Sequence, residues 1–225
     1  MITFFRSLLF STGFIASVLV FSPIIVIGHW VGVTGRTRII GWWAGFNSWW
    51  FRRAIGVRYE FSGLENLPSE GTAIVMANHQ STWETFALFS LFPRQSWVLK
   101  RELLRIPVFG WGLALLRPIA IDRSAGRQAM EQVVSQGRER LEAGRWVLIF
   151  PEGTRVRPGQ KVRYKSGGAI LATRTGYPVL PIAHNAGTIW PKRQFLKRPG
   201  TIRVVIGQPI PAEGRKPDEL LAEVE

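Results

Sequence analysis

From Ser7 to Gly28 the chain carries no charged residue. At ~1.5 Å per residue, such a run in helical form crosses the ~30 Å hydrocarbon layer of a bilayer. Pro23 falls inside it and predicts a break, leaving Ser7 to Ser22 as the unbroken apolar helix. Two readings stay open: a membrane span, or a shorter tilted, re-entrant or half-inserted element. A cleaved secretory signal fits less well, because the run is long and no small-x-small site follows it. Beyond it, Trp30, Trp42, Trp43, Trp49 and Trp50, with Phe46 and Phe51, lie among Arg36, Arg38, Arg52 and Arg53, and the first acidic residue is Glu60. Aromatic rings mixed with arginines suit the headgroup level of a membrane better than a buried core, where each arginine would need a partner.

From about residue 57 short apolar runs alternate with amphipathic stretches, the pattern of an α/β domain. The spacing predicts strands over Thr72–Ala77, Pro118–Ile121, Trp146–Phe150, Val179–Ala183 and Thr201–Ile206. It predicts a helix from Gly126 to Ala143, with Met130, Val133, Val134 and Leu141 on one face and charges on the other. After Pro209 the chain reads as a loop and a short terminal helix carrying Leu220 and Leu221. The expected organisation is a membrane-associated helical segment over residues 1–56 and an α/β domain over 57–225.

Charge and composition narrow the chemistry. The 225 residues include 29 Lys and Arg against 15 Asp and Glu, a formal net charge of +14, which favours an anionic partner such as a phospholipid, a nucleic acid or a phosphorylated substrate. With no cysteine, disulfides, thiolate metal sites and a cysteine nucleophile are all excluded. No dinucleotide fingerprint, Walker-type loop, His-Glu-x-x-His motif or Gly-x-Ser-x-Gly elbow occurs. A nucleic-acid reading is disfavoured because the Trp and Arg residues cluster beside the apolar run and not in a separate soluble patch.

The segment Asn78-His79-Gln80-Ser81-Thr82-Trp83-Glu84 follows the Thr72–Ala77 strand, where open α/β sheets place their ligands. Five residues on one continuous helix would set His79 and Glu84 roughly 140° apart, so a turn must intervene if they meet. With a helix starting near Ser81, Glu84 lies in its first turn and can reach the imidazole Nδ1, orienting the ring while Nε2 acts as base. The same letters form a capping box, in which Glu84 satisfies a backbone N–H. The two roles can coexist. His29 and His184 have no comparable neighbours and read as structural.

The second motif, Phe150-Pro151-Glu152-Gly153-Thr154-Arg155, also follows a strand and joins an open turn to a guanidinium suited to phosphate oxygens. Its bland alternative is a strand-end turn with a surface ion pair. A phosphate monoester carries nearly two charges and wants a second cation, for which Lys100, Arg101 and Arg123 are candidates.

These blocks resemble, in order, the signatures of the glycerophospholipid acyltransferase family. The first is His79 with Glu84 where the family has aspartate. The second runs from Lys100-Arg101-Glu102-Leu103 to Ile121-Asp122-Arg123, the third is Phe150 to Arg155, and the fourth is Val179-Leu180-Pro181-Ile182. The likeness spans about residues 70–190, and the third block is specific by itself.

The resemblance implies a mixed central sheet flanked by helices and acyl transfer from acyl-CoA or acyl-carrier protein to the 2-hydroxyl of lysophosphatidic acid. The product would be phosphatidic acid, made without metal or cofactor. A near alternative keeps the chemistry and changes the acceptor to glycerol 3-phosphate or another lysolipid, such as a lyso-ornithine lipid. A non-catalytic basic membrane adaptor is the alternative from another class.

By the resemblance His79 is the general base, Glu84 its orienting acid, Arg155 the phosphate ligand with Lys100 and Arg123 beside it, and Glu152-Gly153 the acceptor-binding turn. Backbone N–H groups near Gly153 or His79 are expected to hold the oxyanion. The implied partners also include anionic membrane lipids, and the implied place is the bacterial inner membrane with the catalytic domain on its cytoplasmic face.

Overall fold

The computed structural model describes residues 1–225 apart from Pro93 and Arg123, and of His29 the backbone alone. Helix α1 (Ile2–Ile27) passes through a 3-10 turn into α2 (Gly32–Ile55). Gly56, left-handed at φ 83°, ends α2 and turns the chain into β1 (Val57–Ser62). There follow β2 (Ile74–Ala77), α3 (Glu84–Leu91), β3 (Gln95–Lys100), α4 (Phe109–Ala114), β4 (Ile119–Ile121), α5 (Gly126–Glu142), β5 (Trp146–Ile149), α6 (Gly167–Thr175), β6 (Val179–His184), α7 (Ala186–Ile189), β7 (Gly200–Ile206) and α8 (Pro217–Val224).

The strands form one sheet in the order β1-β7-β6-β2-β5-β3-β4, and every neighbouring pair is parallel except β6 with β7. The sheet is therefore mixed and flanked by helices, as expected. β2 sits at its centre and is buried at all four positions. Its alternate residues feed two cores. Val75 and Ala77 join Phe10, Phe51, Trp83 and Phe86 on the side of α1, α2 and α3. Ile74 and Met76 join Val133, Leu141, Ala169 and Leu171 on the side of α5 and α6.

Three features depart from the sequence reading. First, α1 runs unbroken through Pro23 to Ile27. The missing N–H and the ring clash cost about 3 kcal/mol in an unsupported helix, but Ser22 and Ile25 are buried on either side of the proline and hold the last turn in place. Second, β1 and β3 are strands beyond those predicted, although Val57, Tyr59 and Phe61 alternate with Arg58, Glu60 and Ser62 along β1, and α3 begins at Glu84, after a turn, instead of near Ser81. Third, the tryptophans divide. Trp30, Trp42 and Trp49 are exposed, whereas Trp43 and Trp50 pack on the core.

The buried stripe of α1 is partly polar. Ser7, Phe10, Ser17, Ser22 and Ile25 face the protein, while Phe5, Leu8, Leu9, Ile15, Leu19 and Ile27 face outward. Ser17 Oγ lies 3.1 Å from the Asn47 amide nitrogen and 3.1 Å from Trp43 Nε1, and that amide also donates to the Trp43 carbonyl at 2.8 Å. α2 approaches so closely that a Cβ on Gly13 would lie 2.2 Å from the Trp50 indole nitrogen. Lys197 ties α1 to the body: its buried ammonium donates to Ser11 Oγ and the Phe195 carbonyl, both at 2.8 Å, and lies 4.9 Å from the Trp190 ring.

Candidate active site

The chain leaves β2 through Asn78, whose N–H still donates to the Ile182 carbonyl of β6 at 3.3 Å, and His79, at the end of a parallel strand. Glu84, fully buried at the start of α3, folds back over this turn. One carboxylate oxygen, Oε2, pairs with His79 Nδ1. The other, Oε1, accepts the N–H of Gln80 at 2.7 Å and of Ser81 at 2.6 Å. The same carboxylate thus pairs with the imidazole and satisfies two backbone N–H groups of the turn before α3. With Nδ1 donating to Glu84, Nε2 of His79 carries the lone pair.

The second motif closes on the first. The Phe150 ring stacks on the imidazole, centroids 4.1 Å apart and planes within 16°. The Glu152 carboxylate accepts the His79 backbone N–H, and the Val156 N–H donates to the His79 carbonyl at 2.7 Å. Glu152 is therefore a strut between the two loops. Burial pushes its carboxyl up to about 7, opposed by the His79 N–H and assisted by the charge of Glu84. Gly153 sits at φ 68°, which a side chain resists, and a Cβ there would press on Lys165, 3.1 Å from its Nζ.

A cavity of about 1110 Å³ opens from His79. Its lining includes Gly153, Thr154, Arg155, Lys165, Lys192 and Lys100 together with the apolar Phe14, Val18, Trp97, Leu113 and Val133. Burial holds the Arg155 guanidinium below its usual arginine value, and the Glu84 charge acts the other way. Lys192 Nζ fixes the same loop by donating to the Arg155 carbonyl at 2.5 Å.

The structure thus brings His79, Lys100, Gly153 and Arg155 to one cavity and sets Glu84 and Glu152 immediately behind it. Arg123 lies outside the described residues. Arg101 is instead paired with Asp122 at 3.0 Å and does not line the cavity.

Several backbone N–H groups of the two motifs are already engaged. The N–H groups of His79, Gln80 and Ser81 are taken by Glu152 and Glu84, and that of Gly153 by the Phe150 carbonyl at 2.9 Å. Three further residues went unmarked in the sequence. Lys165 and Lys192 reach the cavity from beyond the third motif. His184, read as structural, has its Nε2 3.4 Å from Glu84 Oε1. Asn78, the letter before His79, exchanges two 2.9 Å hydrogen bonds with the His184 backbone and so joins the end of β2 to β6.

Comparison with known proteins agrees with this geometry. The chain is 55% identical over 175 residues to a 1-acyl-sn-glycerol-3-phosphate acyltransferase of Pseudomonas aeruginosa, an alignment covering 78% of this chain and 68% of that protein. It is 34% identical over 167 residues to the chloroplastic 1-acyl-sn-glycerol-3-phosphate acyltransferase BAT2 of Brassica napus, covering 73% of this chain and 48% of that longer protein. The fold matches the crystal structure of the 1-acyl-sn-glycerophosphate (LPA) acyltransferase PlsC from Thermotoga maritima with a TM-score of 0.80 at 22% identity, over 97% of this chain and 90% of that one. The acyltransferase family model matches residues 58–185, more than half of the chain and the whole stretch from β1 past His184. This chain belongs to the acyltransferase family.

Proposed function

We propose that this acyltransferase moves an acyl group from acyl-CoA or acyl-carrier protein to the 2-hydroxyl of lysophosphatidic acid, forming phosphatidic acid for phospholipid synthesis. The observation that carries the reading is a histidine whose Nδ1 is held by a buried carboxylate and whose ring lines a cavity lined by both cations and apolar side chains. The names borne by its relatives point to the same acceptor.

In the reaction the acceptor phosphate lies on Arg155, and Lys100, Lys165 and Lys192, which line the same cavity, are the further cations available to it. His79 Nε2 takes the proton of the 2-hydroxyl as its oxygen attacks the thioester carbonyl. Glu84 stabilises the imidazolium that results. The tetrahedral intermediate collapses, the C–S bond breaks, and the imidazolium proton goes to the departing thiolate. A thioester is already activated, so no acyl-enzyme is needed. The apolar lining takes the acyl chain.

The exposed face of α1, with Trp30, Trp42 and Trp49 beyond it, is an apolar surface far larger than a soluble monomer leaves open. Membrane association follows from that face. Because the buried stripe of α1 extends from Ser7 to Ile25, the helix stays against the body along its length, and we read it as half-inserted in one leaflet. Residues 1–56 would then be the membrane-seated part and 57–225 the catalytic part. The arginines after α1, with anionic lipids as their counterpart, favour the cytoplasmic face of a bacterial inner membrane.

The acceptor is tested by offering detergent-purified protein palmitoyl-CoA or palmitoyl-carrier protein with lysophosphatidic acid, its dephosphorylated form, glycerol 3-phosphate or a lyso-ornithine lipid. The reading expects phosphatidic acid from the first and a large loss on removing the phosphate. Equal turnover of the dephosphorylated acceptor would overturn the phosphate clamp.

A further inference from the structure

Between β3 and β4 the chain makes a tight hairpin, a 3-10 turn over Arg101–Arg105 followed by α4. Gly110 presses the two pieces together, since a Cβ there would lie 2.5 Å from the Leu104 carbonyl oxygen. The apolar side chains of the hairpin turn out: Leu103, Ile106, Val108, Phe109 and Trp111 are each between 37% and 54% exposed. Its tip is strained. Val108 has φ 62° and ψ −58°, and the Phe109 N–H donates to the Pro107 carbonyl at 2.7 Å, a γ-turn of the rare positive-φ kind centred on a β-branched residue. Strain kept at an exposed tip points to a task for the tip.

Position and charge identify what covers it. α4 packs on the C-terminal part of α1, where a Cβ on Gly112 would lie 3.6 Å from the Ser22 carbonyl oxygen and 3.7 Å from the Ile25 side chain. The hairpin therefore stands beside the helix whose outward face associates with the membrane. Ile106 to Leu116 carries no charge and is bracketed by Arg105 and Arg117, both exposed, as suits a segment seated at the headgroup level of an anionic bilayer. The cavity reaches the same place. Ile15 and Leu19 of α1, and Leu103 and Phe109 of the hairpin, all line it while staying exposed.

We propose that the hairpin from Leu103 to Trp111 is a second lipid-seated element, inserted in the same leaflet as α1, and that the lysolipid acceptor enters the cavity from the bilayer between the two. The membrane face then does not end at residue 56, because the α/β domain contributes to it. One helix lying in a leaflet leaves the domain free to roll about the helix axis; a second contact beside it removes that freedom. The entry route rests on the acyl-transfer reading, whereas the insertion does not.

Insertion is tested with labels, which the absence of cysteine from the chain makes site-specific. Full-length Ile106→Cys and, on the exposed side of α5, Ser135→Cys would each carry an environment-sensitive fluorophore and be mixed with vesicles of phosphatidylglycerol and phosphatidylcholine. We expect the label at 106 to shift to shorter wavelength and to be quenched by nitroxides on the lipid acyl chains, and the label at 135 to do neither. A label at 106 that behaves like the one at 135 would overturn the proposal. So would a blue shift that lipid-borne nitroxide leaves unquenched, beside a doubled mass in detergent, which would make the hairpin a contact between copies of this chain.

Entry is tested by activity. Ile106→Asp combined with Trp111→Asp should lower phosphatidic acid formation from long-chain lysophosphatidic acid in those vesicles roughly tenfold or more. The same variant should stay within about twofold of wild type on a short-chain lysophosphatidic acid dissolved in water. Equal losses on both acceptors, or no loss on either, would overturn the entry route. A wild type inactive on both would remove the acyl-transfer reading and the entry route with it, while the labels still decide insertion.

Discussion

The wall of the cavity built from strand ends and the wall built from α1 use polar residues for opposite purposes. Behind the first, Glu84 is fully buried with both oxygens engaged, one on His79 Nδ1 and the other on two backbone N–H groups. In the second, Ser7 and Ser17 are buried and hydrogen-bonded to the body, and the leucines and isoleucines other than Ile25 are turned outward. α5 obeys the ordinary rule, with Val133, Val134 and Leu141 inside and its charges in water. What separates α1 from α5 is the solvent on the far side. Where that solvent is lipid, outward apolar residues cost nothing and small hydrogen-bonding residues become the inner contact.

Disabling the first wall should have the largest effect. Glu84→Gln keeps an acceptor for the Gln80 and Ser81 N–H groups but offers His79 an amide, which favours the tautomer with Nε2 protonated. We expect kcat to fall about 10³-fold with the thermal midpoint nearly unchanged. A matching loss of midpoint would instead mark Glu84 as a cap alone. On the same wall, Arg155→Ala should raise the lysophosphatidic acid KM roughly tenfold or more with little change in kcat, read from steady-state kinetics at saturating donor.

The second wall breaks differently. Ser17→Val, which would be harmless or helpful on the buried stripe of a water-facing helix, strands the Asn47 amide and the Trp43 indole N–H. Denaturation in detergent should register a loss of about 1–3 kcal/mol. Leu19→Ser, the reverse change on the outer face, should stay within about 0.5 kcal/mol in the same assay.

The smallest effect concerns Glu152, whose carboxyl moves from 4.5 to about 7 on burial. Between those values the folded state holds the proton that the unfolded state has lost. The associated stability is therefore complete below pH 4.5 and disappears as pH rises through 7. Glu152→Gln should flatten that part of a midpoint-against-pH curve. An unchanged slope would place the pH dependence elsewhere.

What could be read from the chain was local. His79 and Glu84 lie five residues apart and Phe150 to Arg155 is one turn, so their geometry is decided by neighbouring letters. The buried strands β2, β5 and β6 were marked by short apolar runs. β1 was not, because it lies at the sheet edge with Val57 as its one buried residue. His184 was missed for a different reason. It meets Glu84 because β6 pairs with β2, and no spacing in the sequence encodes that adjacency. Arg101 followed an apolar run as a phosphate ligand would, yet Asp122 takes it across the β3–β4 pair. Pro23 predicts a break that the helix does not show, because propensity carries no information on the buried Ser22 and Ile25 beside it.

The central claim is that a histidine fixed by a buried carboxylate deprotonates the acceptor. Wild type and His79→Ala, purified in detergent and shown to be folded, should be incubated with lysophosphatidic acid and palmitoyl-CoA or palmitoyl-carrier protein, with phosphatidic acid measured by mass spectrometry. The account predicts product from the wild type and at least about a 10³-fold lower rate from the variant. A His79→Ala enzyme within tenfold of wild type would contradict it.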